Sequence, residues 1–155
     1  MASPARARPV VSEAQPDFVE HYLLYLLGRA SSQASAQFHA IVKARGISVP
    51  EWRVVGQLSG GPCTISKLAD RALTQQPTMT KVIDRMVAEG LVVRLEDAAD
   101  RRRVSVQLTD KGQRLAAELI PMALEHEARV LAGYSPREAA ALKRALKTLI
   151  ARTGR

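Results

Sequence analysis

The sequence predicts a mainly α-helical fold carrying one small β-hairpin. Three observations point to it. Apolar residues recur at helical spacing over most of the chain. Two helix-opening motifs, Ser48-Val49-Pro50-Glu51 and Ser135-Pro136-Arg137-Glu138, divide that pattern into segments. Only two short runs, residues 91–95 and 104–108, read as strands, and a charged stretch, EDAADRRR, joins them.

Residues 1–15, with arginine, proline and no apolar period, are expected to form a disordered arm. From Pro16, a good first-turn residue, an apolar pattern through Phe18, Tyr22, Tyr25, Phe38 and Ile41 predicts a helix of about 30 residues that stops at Gly46. That is more apolar face than a small core covers, so part of it is expected to meet a second subunit. In the first capping box the Ser48 oxygen can take a free amide of the first turn, while Glu51 reaches back to the Ser48 amide. The helix that follows carries Trp52, Val54, Val55 and Leu58 and closes at Gly60-Gly61-Pro62. Thr64 caps a short helix through Ile65, Leu68 and Ala69. A further helix starts near Pro77 and ends before Gly90, with Met79, Val82, Ile83, Met86 and Val87 expected to face inward.

After the two strands, Thr109 caps a long helix that Pro121 should kink or break without ending the apolar pattern of Leu115, Leu119, Met122 and Leu124. The second capping box opens the last helix, with Ala139, Leu142, Leu146, Leu149 and Ile150 along one face. That face has little to pack on within one subunit, so a two-fold dimer is expected. The domain boundaries that follow are 1–15 for the arm, 16–46 with 113–155 for a helical dimerisation region, and 47–112 for a separate lobe.

The lobe contains a helix-turn-helix followed by two strands, which is the order of a winged helix. In its second helix the inward residues leave Thr78, Lys81 and Arg85 on the outer face, with Gln75 and Gln76 at the helix start. Glutamine can bind adenine through two hydrogen bonds, lysine and arginine reach guanine or phosphate, and threonine offers a hydroxyl and a methyl. The loop arginines, Arg101 and Arg102, suit a wing reaching the minor groove, and Arg103 at the strand's base suits phosphate. A solvated surface helix and a merely charged turn are the plainer readings of the same residues. The net charge of +8 fits a polyanionic partner. Yet residues 64–111 carry nine basic against seven acidic side chains, so such a site must work by local geometry.

At this point the chain resembles the multiple-antibiotic-resistance regulator (MarR) family of bacterial transcription factors. The matching residues are Glu51-Trp52-Arg53-Val54-Val55, Ile65-Ser66-Lys67-Leu68-Ala69, the run from Gln76 to Met86 that includes Thr80, Glu89-Gly90-Leu91-Val92, Asp100-Arg101-Arg102 and Leu108-Thr109-Asp110-Lys111-Gly112. The resemblance implies a homodimer whose first and last helices intertwine, with two winged-helix lobes on a pseudo-palindromic operator in double-stranded DNA. It implies that the helix from Pro77, with Thr80 among its DNA-binding residues, reads bases, that Arg101 or Arg102 enters the minor groove, and that Asp100 orients a wing arginine. It also implies a repressor released by a small effector, often an aromatic acid, held between the dimerisation helices and the lobe. Tyr22, Tyr25, Arg29, Trp52 and Arg53 are the aromatic and cationic candidates for that crevice, and packing in a core is the competing role. Lys81 stands where many members have arginine, which loses two-point hydrogen bonding.

Other chemistry is thinly represented. There is no Gly-rich phosphate loop, paired-cysteine metal spacing or nucleophile elbow, so neither a cofactor nor an enzyme is expected. His21, His39 and His126 are far apart, and His126, between Glu125 and Glu127, is expected on an exposed turn. Cys63 is read as a small half-buried residue at a first-strand position, with redox sensing as the alternative. A winged-helix protein-interaction module without DNA binding is a further alternative. No apolar run approaches the roughly 20 residues that cross a bilayer, and the start lacks a signal peptide's apolar segment, so a cytoplasmic protein is expected.

Overall fold

A computed structural model describes residues 18–96 and 104–154. The expected arm and the loop arginines lie outside the described residues. The elements run α1 (Phe18–His21), α2 (Leu23–Ala44), α3 (Val49–Leu58), β1 (Cys63–Thr64), α4 (Ile65–Arg71), α5 (Gln76–Ala88), β2 (Val92–Glu96), β3 (Val104–Leu108), α6 (Asp110–Val130) and α7 (Pro136–Thr153). They form two compact units that divide within α2, after Ala36.

In the first unit the expected single helix is interrupted at Tyr22. The Leu26 amide still reaches the Tyr22 carbonyl at 3.1 Å, so the interruption is one residue deep. Phe18 and Tyr22 stack with ring centroids 5.0 Å apart, and Arg29 Nη1 donates to Tyr25 Oη at 3.2 Å. None of these apolar side chains is buried.

The second unit holds the core. Both predicted capping boxes form, with Ser48–Glu51 opening α3 and Ser135–Glu138 opening α7. Thr64 and Thr109 cap α4 and α6. Buried Val54, Val55 and Leu58 of α3 meet Leu68 of α4, Met79, Ile83 and Met86 of α5, and Val92, Val106 and Leu108 of the sheet. A second cluster joins Phe38, Val42 and Leu119, with the Trp52 ring edge-on to Phe38 at 5.0 Å.

The two predicted strands pair antiparallel from Val92↔Leu108 to Glu96↔Val104, and β1 adds to β3 through Cys63↔Val106. The hairpin is therefore part of a three-stranded sheet of order β1-β3-β2.

Four expectations need correction. Val87 is exposed rather than inward, because it lies about 80° around the helix from Met79, at the margin of the buried stripe. Leu124 likewise faces outward. His126 is buried, its ring stacked on Phe38 at 5.7 Å; the flanking glutamates misled, since adjacent helix residues point in different directions. Finally, of the kink or break expected at Pro121 there is no break, since α6 runs through it as one helix.

Candidate nucleic-acid interface

The helix-turn-helix forms from α4, a four-residue turn and α5. At the end of α4, the amides of Leu73 and Thr74 bond back to the carbonyls of Asp70 and Ala69 at 3.1 and 3.0 Å, which places Leu73 in the left-handed conformation that glycine usually takes (φ 55°). Arg53 Nη1 donates to the Ala72 carbonyl at 3.0 Å, so this residue braces the turn from α3. Gln75 then occupies the N-cap of α5 without a side-chain capping bond, and Pro77 sits in the first turn.

Met79, Ile83 and Met86 bury one side of α5. On the other side Gln75, Gln76, Thr78 and Lys81 are exposed, and their side chains engage no partner among the described residues. Thr80 is half-buried and its hydroxyl donates to the Gln76 carbonyl at 3.0 Å. The helix thus presents amide, hydroxyl and ammonium groups beside the free N–H groups of its first turn, an arrangement with affinity for phosphate and base edges.

Arg85 has a different role from these neighbours. Its Nε and Nη2 donate to Glu51 Oε1 at 2.7 and 2.5 Å, and Glu89 approaches Nε at 3.7 Å. Glu51 is 1% exposed. Burial alone would raise its pKa, but the hydrogen bonds from the Ser48 hydroxyl and amide and from Arg85, together with the guanidinium charge, outweigh burial and hold the carboxyl below its ordinary range. The same bond and charge raise Arg85.

Two more links fasten α5. Asp84 Oδ1 accepts from Arg94 Nη2 of β2 at 2.6 Å, and Lys111 Nζ donates to the Glu89 carbonyl at 2.8 Å, at the negative end of the helix. None of Glu51, Asp84, Arg94 or Lys111 was singled out from sequence for these contacts. Only the capping box marked Glu51, and its second partner is 34 residues away. The wing candidates Asp100, Arg101, Arg102 and Arg103 lie outside the described residues; the hairpin leads into that loop from the pair Glu96↔Val104.

The crevice candidates divide between the two units. Tyr22, Tyr25 and Arg29 belong to the first, and Trp52 and Arg53 to the second, where one packs on Phe38 and the other braces the turn. A cleft of about 390 Å³ in the second unit is lined instead by Ile47, Glu89, Leu91, Lys111, Arg114, Leu115 and Glu118. Cys63, expected half-buried, is instead buried in the main core, because its strand β1 adds to the sheet, and this shields its thiol from oxidants. Among the described residues no group of three or more His, Cys, Asp or Glu could hold a metal ion, and no helix is long and apolar enough to cross a membrane.

A profile described as the MarR family matches residues 45–103. A solved MarR family transcriptional regulator from Silicibacter pomeroyi is 46% identical, covering 86% of this chain and 96% of its own with a TM-score of 0.77. The chain belongs to the MarR family.

Other relatives are transcriptional regulators. The homoprotocatechuate degradative operon repressor of Escherichia coli is 35% identical over 94 residues, 60% of this chain and 64% of its own. The transcriptional regulator FarR of Neisseria gonorrhoeae is 33% identical over 92 residues, 59% and 63% respectively. The chain therefore spans just under two thirds of those two relatives. The transcriptional regulator YkoM of Bacillus subtilis, uncharacterised, is 31% identical over 117 residues, 75% of this chain and 76% of its own. Among solved structures, NadR in complex with 4-hydroxyphenylacetate is 25% identical with a TM-score of 0.77, covering 96% of this chain and 97% of its own. BpsR of Bordetella bronchiseptica, whose DNA binding is regulated by 6-hydroxynicotinic acid, is 28% identical with a TM-score of 0.70, covering 81% and 96%.

Proposed function

We propose that this chain is a sequence-specific DNA-binding transcriptional regulator, a cytoplasmic repressor that acts as a homodimer and is released by a small aromatic acid or related ligand. One observation carries the reading: the exposed Gln75, Gln76, Thr78 and Lys81 side chains, which engage no partner among the described residues, stand over the apolar back of α5, at the second helix of a helix-turn-helix. Their donors and acceptors suit base edges in a major groove, while Arg101, Arg102 and Arg103 are assigned to minor-groove and phosphate contact, with Asp100 orienting an arginine of the wing.

In this reading residues 47–112 form the DNA-binding lobe, and residues 16–46 with 113–155 the dimerisation region. Support for a dimer comes from α7, none of whose residues is buried, with Leu142 and Ile150 exposed on its apolar face. Two lobes would then meet successive major grooves about one helical turn apart. Support for repression and an aromatic acid effector comes from the relatives: one is an operon repressor, one holds 4-hydroxyphenylacetate, and one answers to 6-hydroxynicotinic acid.

The test is to capture genomic fragments on the purified protein, measure their retention against salt, and repeat the capture with candidate aromatic acids. The expected result is a small set of related sites whose affinity falls steeply with salt and with one class of acid. Retention without sequence preference, or none at all, would overturn the reading.

A further inference from the structure

The proposed reading face of α5 leaves one large cation unexplained. Arg85 lies seven residues beyond Thr78, about 20° short of two full turns, and so on the same flank of the helix. A flank arginine on a recognition helix is ordinarily assigned to phosphate or guanine. Here its guanidinium is already committed. Glu51 Oε1 takes two of its N–H groups, and Glu51 Oε2 takes the Ser48 amide at 2.7 Å. Ser48 Oγ accepts from Arg85 Nη2 and from the Glu51 amide, both at 3.4 Å. Both oxygens of a buried carboxylate are thereby engaged, and withdrawing Arg85 to meet DNA would leave that charge uncompensated.

We propose that Arg85 is a positioning residue: its ion pair with Glu51 pins α5 to the corner between α2 and α3, and so sets the rotation at which Gln76, Thr78 and Lys81 meet DNA. The inference rests on the reading of α5 as the recognition helix. A side chain ending some 6 Å from a helix axis moves by about 1 Å for a 10° rotation, which is enough to lose hydrogen-bond geometry. The apolar contacts of Met79, Ile83 and Met86 are non-directional, whereas the carboxylate–guanidinium pair is directional, so the pair restrains rotation where packing restrains distance. The corner is itself anchored on its other side. Arg45, just past the end of α2, donates to Glu118 of α6 at 2.9 Å, and Ser48 follows three residues later. A displacement of α6 against this corner therefore reaches α5 through two ion pairs.

The test uses the full chain and an operator selected with the wild type. Binding is measured by fluorescence anisotropy across a salt series for E51Q, R85Q, R85K and the double variant E51Q/R85Q, each confirmed folded by its thermal transition. Glutamine keeps the capping box of α3 while removing the charge pair. The expected result is that E51Q and R85Q each weaken binding between about 3- and 30-fold, with the double variant no weaker than the weaker-binding single. The salt slope should match the wild type, R85K should recover part of the loss, and operators selected anew with R85Q should shift their base preference opposite α5. A stability effect alone would leave that preference unmoved. If R85Q instead flattens the salt slope by about one per lobe while E51Q binds normally, Arg85 is a phosphate contact and the proposal is overturned. Normal binding by both single variants overturns it equally. Failure of the wild type to bind DNA with salt dependence overturns the parent reading and this one with it.

Discussion

Gly112, in the first turn of α6, lies directly against the carbonyl oxygen of Leu91 at the foot of β2. A β-carbon at position 112 would overlap that oxygen and sit 3.1 Å from Leu108 Cδ2. The contact is closed from both sides, since Leu91 O accepts the Thr109 amide at 3.1 Å and Thr109 Oγ1 caps the Gly112 amide at 3.1 Å. Gly112→Ala must therefore push the hairpin off α6, at a cost of roughly 3 kcal/mol or more. Chemical denaturation should show it as a lower midpoint, and a loss below 1 kcal/mol would mean the hairpin gives way freely.

Leu73 predicts a change in the opposite direction. Its φ of 55° is a left-handed conformation that strains a side chain with a β-carbon, and its own side chain is 89% exposed, so no burial offsets the strain. Leu73→Gly should raise stability by about 0.5–1 kcal/mol, the gain in strain exceeding glycine's extra chain entropy. Leu73→Ala, which keeps the β-carbon, should change stability by less than about 0.5 kcal/mol. Thermal unfolding of the two variants side by side checks the pair.

Stability should also fall with acid in two separable windows. Glu51 has a depressed folded pKa, so its contribution is complete above the unfolded value of 4.5 and is lost as pH falls through the folded value. E51Q should be less stable at neutral pH and lack that acid limb. His39 is held below its ordinary 6.5 by burial first, then by the charges of Arg53 and Lys43. Folding therefore favours the neutral ring, and stability should begin to decline as pH drops below 6.5. His39→Gln should remove that earlier limb and leave the lower one. Unfolding midpoints measured from pH 7.5 to 3.5 distinguish the two.

The proposed reading face separates into residues that set preference and residues that set affinity. Lys81→Ala, Gln76→Ala or Thr78→Ala should each cost about 1–3 kcal/mol on a selected operator and relax preference at the base pairs they face. Arg101→Ala or Arg102→Ala should weaken binding to all sequences and flatten the salt slope. Unchanged affinity and preference for Lys81→Ala on a genuine operator would remove this face from the interface.

Much of the architecture was legible locally because its signals act over three or four residues. Ser48 with Glu51 and Ser135 with Glu138 announced two helix starts, Thr64 and Thr109 two more, and the alternation from Val104 to Leu108 a strand. Helical spacing alone put Thr78, Lys81 and Arg85 on the outer face, with Gln75 and Gln76 at the helix start, and all five are exposed. Where local cues misled, a distant partner had overruled them: His126 is buried because Phe38 lies against it, although its neighbours are both acidic.

The sequence by itself determined the order of helices and strands, the turn chemistry and the exposed outer face of α5, since capping, glycine and apolar period are properties of neighbouring residues. Tertiary structure alone decided what each charged side chain is for. Arg85 and Lys81 share one helix and one kind of charge, yet Arg85 meets a buried carboxylate from α3 while Lys81 meets none among the described residues. That difference depends on which carboxylate the fold brings within hydrogen-bond reach, and no spacing along the chain encodes it.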